Sequence, residues 1–433
     1  MKSVLIYGRF FYICPFNKNK KKTMLRFITS GESHGKGLSA IVEGFPSNLK
    51  IEEEYINEHL ARRQMGYGRG GRMKIETDTA EILSGVRFQK TMGSPISLFV
   101  KNSDWENWTD EMASGKPKHK HEKITIPRPG HADLVGVSKY DLNDIRNSIE
   151  RSSARETAAR VAVGSIARRF LEEFGITVGS FVENICGVYS KEKHSDKLFA
   201  ETSPTFDAWN LSVESDKSSV RVLDKNHEER IVKKIKSAKK NGDTLGGTFY
   251  VVASGMPVGL GSFIQYDTKL SSAIAHDMMS INAVKGVEIG TGFETANNPG
   301  SKSHDEIVID DGSITRKSNR AGGIEGGMST GLPIIVRVAM KPIATLMSPI
   351  GAIDLATMEN VTSRRERSDF TAVPACAVIG ESMLAWTIAK AMLDKFGGDS
   401  MNETLDNYKS YTSKLQKRLK KNFTHRRKED AGE

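Results

Sequence analysis

One stretch of twenty residues, Arg151–Phe170, constrains the fold more than any other: RSSARETAARVAVGSIARRF. Ser153 and Glu156 have the spacing of a capping box, in which hydroxyl and carboxylate each satisfy a backbone N–H left open at a helix start. Ala154, Ala158, Ala159, Ala162, Gly164 and Ala167 follow, and small side chains let another backbone come close. The stretch therefore predicts a central helix. Arg155, Ala159, Ala162, Ile166 and Phe170 recur every three or four residues and share one face. A charged residue heads this otherwise apolar stripe, at the helix end where dipole and open N–H groups favour an anion. Arg151, Ser152, Ser153 and Arg155 together predict a receptor for phosphate or carboxylate. Taken alone, Arg155 would pack its stem and leave its head in water, as arginines usually do. The other turns of the chain tilt the balance.

At 433 residues, the chain is long enough for two domains or one large layered one. No apolar run is read as approaching the roughly 18 residues of a membrane span. Cys14, Cys186 and Cys376 are too few and too scattered for a disulfide framework or a zinc site, which fits a reducing cytoplasm. The net charge of +10 raises a nucleic-acid reading, so its location matters. Residues 1–23 carry +6 and residues 409–433 carry +6, leaving 24–408 at −2. A polyanion-binding surface on the body is not supported; basic ends that touch polyanions non-specifically are the alternative.

Residues 1–23 are expected to form a non-core extension, with Met24 the working start: the lysine cluster follows the apolar run instead of preceding it, unlike a secretory signal. Strands are expected at LRFIT, LSAIVEG, Ile75–Val86, Ile96–Val100 and GGTFYVVASG, and helices at Ile51–Gln64 and Glu228–Asn241. Asp104–Lys123 reads as a polar surface excursion, and Gly-rich and apolar stretches alternate up to about Gly397. The catalytic unit is set at residues 24–400. Residues 401–433 are expected to form a flexible basic tail.

His34 and His131 sit in glycine-flanked turns, GESHG and RPGHAD, open to a ligand and suited to proton transfer. Arginines recur in turns at Arg63, Arg69, Arg72, Arg128, Arg151, Arg155, Arg364, Arg365 and Arg367. Glycine-bedded arginine suits bidentate recognition of phosphate and carboxylate, and several turned inward together need anionic partners. No Walker sequence, dinucleotide fingerprint, metal-ligand spacing or nucleophile elbow is present.

As a set, GESHGKGLSAIVEGFP, RRQMGYGRGGRM, RPGHAD, RSSARETAARVAVGSIA, SINAVKGVEIGTGF, AGGIEGGMSTG, KPIAT and RSDFTAVPACAVIGESMLA occur in the order and spacing of chorismate synthases, over about Met24 to Lys395. The resemblance implies an α+β fold, a layered β-α-β sandwich of helices and antiparallel sheets, assembled as a homotetramer. It implies a cytoplasmic lyase that converts 5-enolpyruvylshikimate 3-phosphate into chorismate and phosphate by anti-1,4-elimination, with reduced FMN and no net redox change. By the same resemblance Arg63, Arg69, Arg72, Arg128, Arg155 and Arg367 line the anion pocket. His34, assisted by Ser33, protonates departing phosphate, His131 serves reduced flavin near nitrogen 1, and Asp369 partners nitrogen 5. Flavin contacts fall on Arg151, Ser152, Ser153, Asn282, Ala283, Gly326, Lys341, Pro342, Ile343, Ala344, Thr345 and Arg367. The resemblance implies no metal, and an outside source of reduced flavin, with NADPH-driven reduction by the chain itself as the alternative. Where the family commonly reads Arg-His-Asp-Pro-Cys, this chain has Arg367-Ser368-Asp369-Phe370-Thr371, which keeps arginine and aspartate and changes the loop around them.

Overall fold

Apolar side chains alternate along GLSAIVE, so Leu38, Ala40 and Val42 face the core from strand β2 (Gly37–Glu43). With β1 (Arg26–Ser30), β3 (Ala80–Ser84) and β4 (Ile96–Lys101) it forms an antiparallel sheet in the order β1-β2-β4-β3. A second antiparallel sheet holds β5 (Thr177–Ile185), β6 (Val188–Tyr189), β7 (Gly247–Ser254), β8 (Val284–Ile289) and β9 (Ile334–Met340), ordered β8-β9-β7-β5-β6. The chain is seen as a computed structural model that describes residues 25–69, 77–310, 312–365 and 369–423.

β7 is apolar on both faces because both are covered. Phe249, Val251 and Ala253 join the main core, while Tyr250 and Val252 meet Phe181, Leu198, Ala208 and Ile335 on the other side. Between the sheets run α1 (Glu53–Gln64), α4 (Thr157–Glu172) and α7 (Val373–Phe396). α4 packs on α7 and also touches β2 and β4, and α7 lies against β5 and β7. The result is an α+β fold of sheet, helices and sheet. The small residues of α4 act as expected: a Cβ at Gly164 would lie 2.4 Å from the Cβ of Ser382 and 2.7 Å from its Cα. Gly164→Ala is therefore expected to destabilise by about 1–3 kcal/mol through overpacking, against the gain of about 1 kcal/mol that alanine brings to an ordinary helix. Denaturant titration measures this; a higher midpoint for the variant would contradict the close approach.

Four expectations change. The helix expected to start at Ser153 does start there, but as a 3-10 turn over Ala154–Glu156 before α4 begins, and Arg151 and Ser152 belong to a separate helix, α3 (Ile145–Ser152). The capping box is not closed, because Glu156 is taken by Arg160 (2.9 Å) and Thr29 (3.0 Å), while Ser153 Oγ accepts from the N–H of Arg155 (3.3 Å). α7 was hidden by its glycine and charged residues. Among the described residues it is the one helix long and apolar enough to cross a membrane by length and composition, yet 89% of that window is buried inside the fold. Finally, residues beyond 400 continue as α8 (Met401–Phe423), and Tyr408 and Tyr411 of its first three turns pack edge-on against Phe396, so the expected tail starts as packed structure.

Candidate active site

The turn between β1 and β2 carries Ser33 and His34. It must begin with glycine: Gly31 has φ +107°, and a Cβ there would lie 2.3 Å from the oxygen of Gly37. His34 donates its backbone N–H to Glu150 Oε2 (2.9 Å), and its Nδ1 lies 2.9 and 3.0 Å from the two Glu150 oxygens. The ring stacks on Trp108, with centroids 4.0 Å apart. Arg146 approaches the same group, 3.4 Å from Glu150 Oε1 and 5.0 Å from the Trp108 centroid. Burial opposes the charge of Glu150, but the hydrogen bonds from His34 and the Arg146 guanidinium prevail and hold its carboxyl below the usual range. Ser33 Oγ accepts from Ser153 Oγ at 3.1 Å, which ties the turn to the break between α3 and the 3-10 turn.

Beside this turn the inward arginines find carboxylates of the chain itself. Arg155 pairs with Asp78, and donates to Asn102 Oδ1 (2.8 Å) and the Lys101 carbonyl (3.2 Å). Arg63 reaches the other Asp78 oxygen (3.1 Å), Thr157 Oγ1 (3.0 Å) and the Ala154 carbonyl (3.2 Å). Burial pushes the Arg63 guanidinium down to about 10; Asp78 works against this, and Arg69 and Arg155 add to it. Arg69 pairs with Asp369 at 3.1 Å. The loop bearing Asp369 is anchored just after it: Phe370 donates its N–H to Gly68 O (2.8 Å) and accepts from Leu245 N (2.7 Å), and Thr371 is fully buried. The loop end is thus fixed at Phe370 and Thr371.

His131 is built like His34. Its Nδ1 lies 2.5 Å from Asp133 Oδ1, and Arg128 donates to both Asp133 oxygens (2.9 and 3.1 Å) and to Thr345 Oγ1 (3.1 Å). Burial disfavours ionised Asp133, but His131 and Arg128 outweigh it and hold the carboxyl far below its ordinary range. Lys341 donates to Gly130 O through its ammonium and to Ala283 O through its backbone (2.9 Å). Asn282 donates to the Ser152 carbonyl (3.1 Å). Ala283 holds φ +67°, a left-handed conformation uncommon outside glycine. These bonds join Ser152, Asn282, Ala283, the 341–345 strip and the His131 turn into one connected wall beside the α3–Ser153 break.

Ser33, His34, Arg63, Arg69, Arg155, Ser153 and Asp369 thus share one neighbourhood, and Arg128, His131 and the 341–345 strip share the adjoining one. Arg151 stays exposed and clamps the His34 turn through Gly31 O (3.2 Å) and Thr29 O (2.9 Å). Gly326 is set apart: it forms the hairpin turn whose neighbour Gly327 accepts from Leu270 N (2.8 Å), at the start of α6 (Leu270–Met279), whereas Asn282 follows that helix's end. Arg72 and Arg367 lie outside the described residues. A cavity of about 460 Å³ on the outer face of the second sheet is lined by Phe181, His194, Tyr250 and Arg337 and contains none of the expected site residues.

Four contributors escaped the sequence reading: Asp78, Trp108, Arg146 and Glu150. Trp108 comes from the segment read as a surface excursion, and no spacing pointed to the two carboxylates. Arg364 is half-buried near Arg128 and Arg146, and burial together with those two cations lowers its pKa. Counting Arg63, Arg69, Arg128, Arg146, Arg155, Arg364 and Lys341 against Asp78, Asp133, Glu150 and Asp369, the walls hold three more positive charges than negative ones. Such a site favours a ligand carrying several negative charges.

The family model described as Chorismate synthase matches residues 25–393, which spans every site residue placed above. The chain belongs to the chorismate synthase family. Chorismate synthase of Prosthecochloris aestuarii is 52% identical over 400 residues, 92% of this chain and 100% of that protein. The Aquifex aeolicus chorismate synthase is 52% identical over 391 residues, 90% of this chain and 98% of its own. A crystal structure of chorismate synthase superposes with a TM-score of 0.73 at 44% identity, covering 90% of this chain and 98% of that one. With identity at this level over nine-tenths of its length, the chain carries the chorismate synthase lyase activity on a small-molecule substrate, in a family that works with reduced flavin.

Proposed function

We propose that the cationic face described above binds 5-enolpyruvylshikimate 3-phosphate beside reduced FMN and eliminates phosphate to form chorismate. The observation that carries this reading is the excess of three positive charges over the two adjoining walls that hold Ser33, His34, His131 and Asp369. The substrate offers two carboxylates and a phosphate of about −1.5 to −2 charge. Arg63, Arg69, Arg128 and Arg155 are assigned to those anions, with Arg72 and Arg367 from outside the described residues. In the elimination the carbon–oxygen bond breaks, its electron pair leaves on phosphate, and a proton departs from carbon 6. His34 gives its proton to the leaving phosphate, and Ser33, fixed by Ser153, holds that phosphate beside it.

The wall of Arg128, Gly130, His131, Ser152, Asn282, Ala283 and Lys341–Thr345 suits FMN: it offers cations for a phosphate and backbone and amide groups for a flat heterocycle. Reduced FMN, when bound, supplies the electron-rich partner that the elimination requires. His131 is assigned to the nitrogen-1 side and Asp369 to the nitrogen-5 side, as the partner of the position that would take up the carbon-6 hydrogen. Arg151, Ser153 and Gly326 complete the assignment by similarity. Gly326 lies apart from the others, beside the start of α6. The protein is read as a cytoplasmic homotetramer, with residues 24–400 as the catalytic unit and reduced flavin delivered from outside.

The test is chorismate and phosphate formation from this substrate under anaerobic conditions with reduced FMN. No product with FMNH2, or equal product with oxidised FMN, would overturn the assignment. Arg155→Ala is expected to weaken substrate binding by about 1.5–3 kcal/mol, the size of a charged hydrogen bond. Asp78 keeps Arg63 as a partner, so unfolding should move less than affinity. A stability loss with unchanged affinity would place Arg155 in the scaffold alone.

A further inference from the structure

We propose that Glu150 is a positioning residue for His34, fixing its ring so that Nε2 alone exchanges a proton with the departing phosphate. This deepens the function proposed above and rests on His34 being the acid. Three contacts carry the inference: the backbone N–H of His34 on Oε2, and Nδ1 on both oxygens, at 2.9, 2.9 and 3.0 Å. Glu150 has 1% of its side chain exposed, so no bulk water competes for these oxygens. It sits on α3, two turns beyond the Asp144 cap and three residues before Ser153, whose hydroxyl holds Ser33. One short helix thereby sets both the acid and its neighbour.

A carboxylate at Nδ1 does two things. It keeps Nδ1–H in place, so a ring that gives up its Nε2 proton is left as the Nδ1–H tautomer. The proton that moves is then the one on Nε2, which passes to a phosphate oxygen as the carbon–oxygen bond breaks. It also prevents a ring flip, in which Nδ1 and Nε2 would exchange places. Trp108 closes one face of the ring. Charged groups around the pair include Arg146, on Glu150 and over Trp108, Glu111, 3.6 Å from Arg146, and Asp104, which accepts from Trp108 Nε1 at 2.9 Å. Arg146 leaves Glu150 partnered when the imidazole changes charge, so the carboxylate stays where it is through the cycle.

The experiment compares wild type with Glu150→Gln, Glu150→Ala and His34→Ala by kcat, KM and nitrogen-15 spectra of the histidine rings. Glu150→Ala is expected to lower kcat by about 10²–10⁴-fold, the range seen when an acid–base group is lost or its orienting carboxylate altered, with KM changed less than about threefold. Glu150→Gln keeps an oxygen for Nδ1–H and should recover part of kcat. The spectra should show the His34 ring leave the Nδ1–H tautomer in Glu150→Ala. A purely structural Glu150 would lower the unfolding temperature of both variants while kcat per folded enzyme and the tautomer held, and that result overturns the proposal. If Glu150→Ala is insoluble, Glu150→Gln and the wild-type tautomer still decide it: an Nε2–H ring in wild type is contrary to the proposal. Should His34→Ala itself turn over normally, the acid assignment fails first, and the two failures are told apart.

Discussion

His34→Ala is expected to lower single-turnover chorismate formation by about 10²–10⁴-fold, the contribution of a positioned general acid. Phosphate leaves more readily once protonated, and His34 is the histidine beside Ser33 in the arginine-lined neighbourhood. The substitution should be well tolerated by the fold. Glu150 keeps the backbone N–H of residue 34 and the Arg146 guanidinium, so no buried carboxylate is stranded. Trp108 loses its stacking partner but keeps its hydrogen bond to Asp104. The contrasting variant is His131→Ala. There Asp133 keeps Arg128 on both oxygens, so the fold again survives, and the defect should appear in the spectrum of the anaerobic enzyme–substrate–flavin complex. Wild-type turnover in His34→Ala, or failure of both variants through lost flavin affinity alone, would end this division of labour.

The structure explains which parts of this site could be read from residue order. Glycine-bedded histidines and arginines were legible because a turn that must take φ > 0 leaves a local mark, as at Gly31. The α4 face was legible because its period is local too, down to Gly164 against Ser382. The carboxylates were not. Glu150 lies 116 residues from His34, and Asp78 lies 77 from Arg155, so only the folded chain pairs them. Inward arginines were expected to need anions, and the first anions they meet are the protein's own. Glu156 shows the opposite failure. Its spacing from Ser153 matched a local motif, but an arginine one turn on and a threonine on β1 outcompeted the backbone for it. α7 was lost because Gly380 and Glu381 look like interruptions. Gly380 is there because a Cβ would lie 2.9 Å from Phe249 and Val251.

Glu381 itself leads to the second large effect, on stability rather than turnover: Glu381→Ala is expected to destabilise by about 3–5 kcal/mol, the cost of removing one partner from a buried charge network. This glutamate is fully buried in α7, and its oxygens accept from Arg62 (2.8 and 3.0 Å), Arg168 (2.6 Å), Arg221 (3.0 Å), Ser180 (2.5 Å) and Ser212 (2.7 Å). Burial disfavours its charge, yet the three guanidiniums prevail and hold it far below the ordinary carboxyl range. Without it, Asp216 is the acidic partner left to Arg62 and Arg221. Burial already pushes Arg221 down to about 9, with Glu381 opposing that and Arg62 and Arg168 adding to it. The sign of the pH dependence follows. A carboxyl with a depressed folded pKa contributes stability that is fully present above its unfolded value, near 4.3, and is lost as pH falls through that value toward the folded one. Wild type should therefore be steady from about pH 7 to pH 5 and weaken below about pH 4. Glu381→Gln, which keeps the shape and drops the charge, should be weaker at neutral pH and lose less on acidification, so the two curves converge. Denaturant unfolding of both proteins across this range is the measurement. A Glu381→Gln variant as stable as wild type at pH 7 would mean that the arginines are satisfied without this charge, and that α7 is held to α1, α4 and β5 by packing alone.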